Sequence, residues 1–211
     1  WGMLPQTVNA YYNPLQNEIV FPAAQMQPPY FDATADDALN YGGIGAVIGH
    51  EMLHGFDDQG SRFDAEGNLR DWWTGEDRKH FDERTAKLVR QFDAYVPIDD
   101  LHINGKLTLG ENIADLGGLQ VAWDAFRLAD PNAKDKDGFT PGQRFFLSFA
   151  QSWRTQQRPE ALRLQVQSNE HAPAKYRVNG PVSDLPEFAS VFECAPPQPM
   201  ARSASECVVI W

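Results

Sequence analysis

Along the 211-residue chain, the spacing of apolar positions changes several times, and each change marks a new element. Near the start, "TVNAYYNPLQNEIVFPAA" holds two short apolar runs, about Val8 to Tyr12 and Glu18 to Phe21, separated by an Asn-Pro link. Such runs bounded by turn residues predict two strands turned into a hairpin with a free edge. From Asn40 to Phe56, Ile44, Ile48, Met52 and Phe56 recur every four residues, as on one helix face directed into a core. The Asp- and Gly-rich stretch "FDDQGSRFDAEGNLRDWW" ends that helix and continues as loop. A charged amphipathic helix is expected from about Gly75 to Ala94. Another follows over "LGENIADLGGLQVAWDAFRLA", where Leu109, Ile113, Leu116, Leu119, Trp123 and Phe126 fall three and four residues apart.

After the loop "DPNAKDKDGFTPG", the stretch "QRFFLSFAQSWRTQ" predicts a largely buried helix and "RPEALRLQVQS" a shorter one. In "HAPAKYRVNGPVSDLPEFASVFEC" prolines interrupt the pattern, and the segment reads as loop with little regular structure. There is no internal repeat and no low-complexity tract. The expectation is one α+β domain, predominantly α-helical, with a small N-terminal β-hairpin.

Composition narrows the functional classes. The apolar fraction of 42% and charged fraction of 22% are those of a globular protein. No stretch approaches the roughly 18 unbroken apolar residues of a membrane helix. Lys+Arg 18 against Asp+Glu 29, a formal charge of -11, repels phosphate backbones and anionic lipid, which argues against nucleic-acid binding and membrane contact. Cys194 and Cys207, with prolines between them, can close one disulfide, pair with chain outside this sequence, or stay reduced. Neither has the spacing of a zinc ligand. "WGMLPQTVNA" has no basic or apolar signal region and reads as an interior cut.

The chemistry concentrates in "VIGHEMLHGF". At about 100° per residue, His50 and His54 project from one helix face within reach of a common ion, and Ile48 and Met52 point nearly oppositely. Zinc accepts neutral imidazole nitrogen. Glu51, one step around the helix, can touch water at the ion without being a ligand. His-Glu-x-x-His arises by chance in on the order of one chain in a hundred of this length. The glycines of "GGIGAVIG" lack the preceding strand of a dinucleotide-binding loop. Gly42, Gly45 and Gly49 instead predict a seam of small residues where another element approaches closely. A long-form zinc motif needs glycine at position 57 and histidine at position 60, where Asp57 and Gly60 stand, so the third ligand lies elsewhere. His80, His102, His171 and several carboxylates are candidates. Glu111 and Asp115 share a helical face at i,i+4, with Gly118 keeping that face low. One of the two carboxylates can bind zinc while the other orients a ligand histidine; equally, Glu111 can complement a helix N-terminus and Asp115 be solvated.

Taken together, "VNAYY", "EIVFPAAQMQPPYF", "LNYGGIGAVIGHEMLHGFDD", "DWW", "LGENIADLGG", "FFLSFAQSW" and "HAPAKYRVNG" resemble the neprilysin family of zinc endopeptidases, nearly end to end. His-Glu-x-x-His followed by "ENIAD" is the most specific part. The resemblance implies a thermolysin-like, gluzincin architecture with one zinc held by His50, His54 and Glu111. It implies Glu51 as general base, Asp115 as the partner of the first histidine and His171 as stabiliser of a tetrahedral oxyanion. Arg177 matches the arginine that grips a substrate carbonyl, and Asn9 and Ala10 the pair that bonds the peptide backbone. Tyr30, Val47 and Trp153 fall where the family lines the pocket for the residue after the scissile bond, which implies cleavage of oligopeptides on the amino side of hydrophobic residues. Family members are several times longer, so residues 1–211 are expected to be the C-terminal part of a catalytic domain whose N-terminal segment is a missing partner. The tail "CVVIW" is closer to bacterial members than to animal ones.

Overall fold

The computed structural model describes residues 1–211. Strands β1 (Tyr11–Asn13) and β2 (Glu18–Val20) form a two-stranded antiparallel sheet in which Tyr11 faces Val20 and Asn13 faces Glu18. The turn closes at Asn17, whose φ of 48° suits an asparagine better than most residues. Both strands are shorter than expected, and Val8, Asn9 and Ala10 lie before β1 without ladder partners.

Everything else regular is helical: α1 (Asp37–Asn40), α2 (Ala46–Leu53), α3 (Gly75–Asp93), α4 (Leu109–Ala129), α5 (Pro141–Ser152), α6 (Pro159–Ser168), α7 (Ala174–Asp184) and α8 (Pro186–Val191). The expected Asn40–Phe56 helix is continuous only as a path. A π-helical turn at Tyr41–Gly45 links α1 to α2, and a 3-10 turn at His54–Phe56 ends it. The wide turn lets the Ile44 N–H donate to the Tyr30 carbonyl at 2.7 Å instead of to its own helix.

The small-residue seam is present with one member changed. A Cβ at Gly42 would lie 2.1 Å from Phe145 O, one at Gly43 2.3 Å from Tyr30 O, and one at Gly49 2.4 Å from Gly118 O. Gly45 takes no part, since its nearest neighbour would be Tyr41 Cβ at 3.5 Å. Backbone therefore packs on backbone where α2 crosses α4. This contact also reverses part of the expected core face. Leu53 and Ala46 are buried beside Gly49, whereas Met52 (49% exposed) and Phe56 (44%) face outward and Ile48 is half-buried. Period identifies a face, but the side that packs here is the one with the least side-chain bulk.

The core lies around α4, whose Ile113, Leu119 and Phe126 are fully buried with Phe145 of α5 and Phe92 of α3. Phe126 and Phe145 stack at 5.8 Å between centroids, and Trp123 stacks on Phe146 at 5.1 Å. α3 begins at a Thr74 side chain that accepts from Asp77 N, and α5 at a reciprocal Thr140–Gln143 capping box.

The segment read as irregular holds α7 and α8. Pro173 and Pro186 sit at helix starts, where a missing N–H costs nothing. Pro181 lies inside α7, held by burial: a Cβ on its neighbour Gly180 would meet Phe92 Cζ at 2.7 Å. Tertiary packing overrides the local signal. Cys194 and Cys207 are both free thiols. No helix is long and apolar enough to cross a membrane.

Candidate metal centre and cleft

α2 presents His50, Glu51 and His54, with one donor atom from each within 4.8 Å of the others. The crossing helix α4 adds Glu111 and Asp115. His50 Nε2 and His54 Nε2 are 3.0 Å apart. Glu111 Oε2 lies 3.5 Å from His50 Nε2, and its Oε1 3.6 Å from His54 Nε2. Donors about 2.0–2.1 Å from a tetrahedral zinc stand about 3.3 Å from one another, so these three separations fit the edges of such a site. Glu51 and Glu111 are rival carboxylates for the third ligand position. Glu111 is the better placed, because an oxygen of it faces each imidazole at the required edge length.

Each histidine is backed by a carboxylate. Asp115 Oδ1 stands 2.8 Å from His50 Nδ1, close enough to orient the ring, although the contact is not aligned as a hydrogen bond. His54 Nδ1 meets Asp57 Oδ2 at 2.7 Å. Asp57 is itself pinned, its Oδ1 accepting from Gln59 N at 2.8 Å and Gly60 N at 2.7 Å. In the sequence, Asp57 stands out only as the residue that breaks the longer zinc motif. Its i+3 offset from His54 was the available signal.

Arg177 of α7 closes the polar network. Its guanidinium forks onto both Asp115 oxygens at 2.7 Å, reaches Glu111 Oε2 at 3.1 Å, and stacks on Trp153 with 4.1 Å to the ring centroid. His171, in the loop between α6 and α7, places Nε2 3.3 Å from Glu111 Oε2. Of the other histidines, His102 hydrogen-bonds Asp93 O, and His80 lines a separate aromatic hollow; neither reaches the centre.

Burial sets the electrostatics. Desolvation lowers His50 to about 4 and raises Glu51 and Glu111 each to about 7. For His54 burial acts downward, but the hydrogen bond to Asp57 and the negative charges of Glu111, Asp57 and Glu51 together leave the net shift upward. Burial likewise opposes ionisation of Asp115, yet Arg177 holds its carboxyl well below the usual range. The donor set of two imidazoles and a carboxylate matches zinc. A divalent cation would add positive charge to that of Arg177 beside the buried Glu111 and favour its ionised form.

The centre floors a cleft of 840 Å³. His50, Glu51, His54, Glu111, Asp115, His171 and Arg177 line it, and so do Asn9, Ala10, Tyr30, Val47 and Trp153. Every site residue expected from the sequence is therefore in one cavity, although Asn9 and Ala10 reach it from irregular backbone rather than from a paired strand.

The chain is similar to known proteins over nearly its whole length. Residues 9–208 match the profile of Peptidase family M13. The chain is 47% identical over 199 residues to an endothelin-converting enzyme homolog of Locusta migratoria, covering 92% of this chain and 27% of that protein. It is 42% identical over 218 residues to Neprilysin-3 of Drosophila melanogaster, covering 100% of this chain and 27% of that one. The crystal structure of Mycobacterium tuberculosis zinc metalloprotease Zmp1 in complex with inhibitor superposes with a TM-score of 0.97 at 47% identity, over 100% of this chain and 33% of that chain. The chain thus spans about a quarter of the length of these curated relatives.

Proposed function

The chain belongs to peptidase family M13, and from that premise we propose that it carries the centre of a zinc-dependent endopeptidase acting on oligopeptides. The observation that supports this most is the joining of the His50–His54–Glu111 triangle to the buried carboxyl of Glu51 in one cleft. One zinc per chain would be held by His50, His54 and Glu111, with Asp115 and Asp57 orienting the two rings. When bound, zinc supplies Lewis-acid chemistry, lowering the pKa of water and polarising a carbonyl oxygen.

The chain's own groups carry the proton transfers. Glu51, held near neutrality by burial, takes a proton from the water that attacks the scissile carbonyl carbon and returns it to the leaving amine. His171 Nε2, at the rim of the cleft, donates to the oxygen on which charge develops, a contribution typically worth about 3 kcal/mol of barrier. Arg177, fixed by Asp115, offers its remaining N–H to a substrate carbonyl. Asn9 and Ala10 take the peptide backbone, and Tyr30, Val47 and Trp153 form an apolar wall that favours a hydrophobic residue after the cut bond.

Incubation of the zinc-loaded protein with a quenched peptide tests the proposal. Glu51→Gln is expected to retain stoichiometric zinc and to lose cleavage. Near-normal turnover by that variant overturns the assignment of the base. Zinc binding without cleavage by the wild type favours a peptide-binding module instead.

A further inference from the structure

Two residues of the cleft carry a buried side-chain atom without a hydrogen-bond partner, His50 at Nδ1 and Gln25 at Oε1. His50 Nδ1 stands against Asp115, whereas Gln25 Oε1 has no partner in the protein. The whole Gln25 residue is only 3% exposed. Its backbone is fixed in the 3-10 turn Ala23–Met26, where Gln25 N donates to Pro22 O at 3.0 Å and the adjacent Ala24 N to Pro5 O at 2.9 Å. The chain then runs on to Tyr30, whose N–H donates to Gln27 O at 3.0 Å, and Gln25 and Tyr30 line the same cavity. A buried amide without a partner is costly. What completes it in the cleft is a polar group on the molecule bound there.

Ser152 adds a second polar point next to Trp153. It lines the cleft, and its hydroxyl hydrogen is committed to Ser148 O at 3.2 Å, which leaves the oxygen able to accept. The wall of Tyr30, Val47 and Trp153 thus suits an apolar body, and Gln25 and Ser152 suit a polar end on that body.

We propose that Gln25 is a specificity-determining residue, its amide hydrogen-bonding the end of the side chain after the cut bond so that tyrosine is selected over phenylalanine there. This rests on the peptidase reading and on the place given in it to Tyr30, Val47 and Trp153. A phenolic hydroxyl both donates and accepts, so it completes the amide whichever of its two ends is turned to the cleft. Phenylalanine has the same ring, but it keeps water from the amide and offers no partner.

The test uses two quenched peptides that differ only in tyrosine or phenylalanine at one position, with the cut bond identified by mass spectrometry. For the zinc-loaded wild type, kcat/KM at the bond before that position is expected to be about tenfold higher with tyrosine. Gln25→Leu is expected to lose or reverse the preference, because an apolar pocket does not favour an added hydroxyl. Equal values in the wild type, or an undiminished preference in the leucine variant, overturn the proposal. If Gln25→Leu fails to fold, Gln25→Met, of similar length and without the amide, takes its place. Calorimetry with the Glu51→Gln protein reads the same comparison as affinity, without turnover. Tighter binding of the tyrosine peptide, where the wild type cuts neither peptide, upholds the role of Gln25 and counts against the peptidase reading alone. Equal affinities, or binding of neither peptide, overturn the role of Gln25.

Discussion

The crossing of α2 and α4 is the mechanical basis of the proposed metal centre, and Gly118→Ala tests it directly. A Cβ at position 118 would stand 2.3 Å from His50 N and 2.7 Å from Gly49 C. Both neighbours are backbone, so no side chain can swing aside. Restoring ordinary van der Waals separation requires the helices to part by about 1 Å, and overpacking of this kind costs roughly 1–3 kcal/mol. The same displacement separates His50 and His54 on α2 from Glu111 on α4. With donor separations of 3.5 and 3.6 Å already at the upper side of a zinc tetrahedron, an added ångström leaves Glu111 out of range. Urea denaturation of the metal-free protein should show the stability loss, and competition with a chromogenic chelator a fall in zinc affinity of at least tenfold. Gly45→Ala is the control, because its Cβ would meet only Tyr41 Cβ at 3.5 Å; it should be neutral or stabilising by up to about 1 kcal/mol. A Gly118→Ala protein as stable and as zinc-avid as Gly45→Ala would refute the idea that backbone contact sets the geometry of the site.

Three further outcomes are expected. Asp57→Ala removes the 2.7 Å tether of His54 Nδ1 and should weaken zinc binding by about 10–100-fold, measured by the same competition, while urea stability of the metal-free protein changes less. Zinc binding should release protons at pH 6, where burial keeps Glu111 protonated up to about 7, and fewer at pH 8.5, so affinity rises with pH; calorimetry in buffers of different ionisation enthalpy that shows equal release at both pH values would contradict this. Asp184 is buried, accepting from Val208 N at 3.0 Å and paired with Arg202 Nε at 3.1 Å, and desolvation raises its carboxyl from 3.8 to about 6. Between those values the folded state holds the proton more tightly than the unfolded one. The contribution is therefore fully present below about pH 4 and lost as pH rises through 6, an amount on the order of 3 kcal/mol by pH 7. Asp184→Asn should flatten that part of the stability profile, and a parallel wild-type curve would exclude the assignment.

Much of this architecture is written in local pattern. The bounds of α3 and α4, the buried set Ile113, Leu116, Leu119 and Phe126, and the pairing of His50 with His54 all follow from helical period, because a helix repeats its faces whatever surrounds it. The i,i+4 offset of Glu111 and Asp115 likewise put them on one face. Period alone left open whether they bind or are solvated, and only the resemblance to a known family chose between these readings. The crossing of α4 over α2 through Gly49 and Gly118 brings Glu111 between the two imidazoles.

Other features depend on contacts between parts of the chain distant in sequence. His171 and Arg177 carry no distinguishing local pattern; they belong to the site because α7 packs on α4 and offers Arg177 to Asp115. α7 and α8 form despite their prolines, since Pro186 occupies a helix start and Pro181 is fully buried next to Gly180, which packs closely on Phe92. Met52 and Phe56 keep the period of a core face yet stand open. Sequence determined which side chains share a helix face, as that depends on the covalent backbone and its hydrogen bonds; tertiary structure decided which faces meet, because close packing depends on residues that no local window contains together.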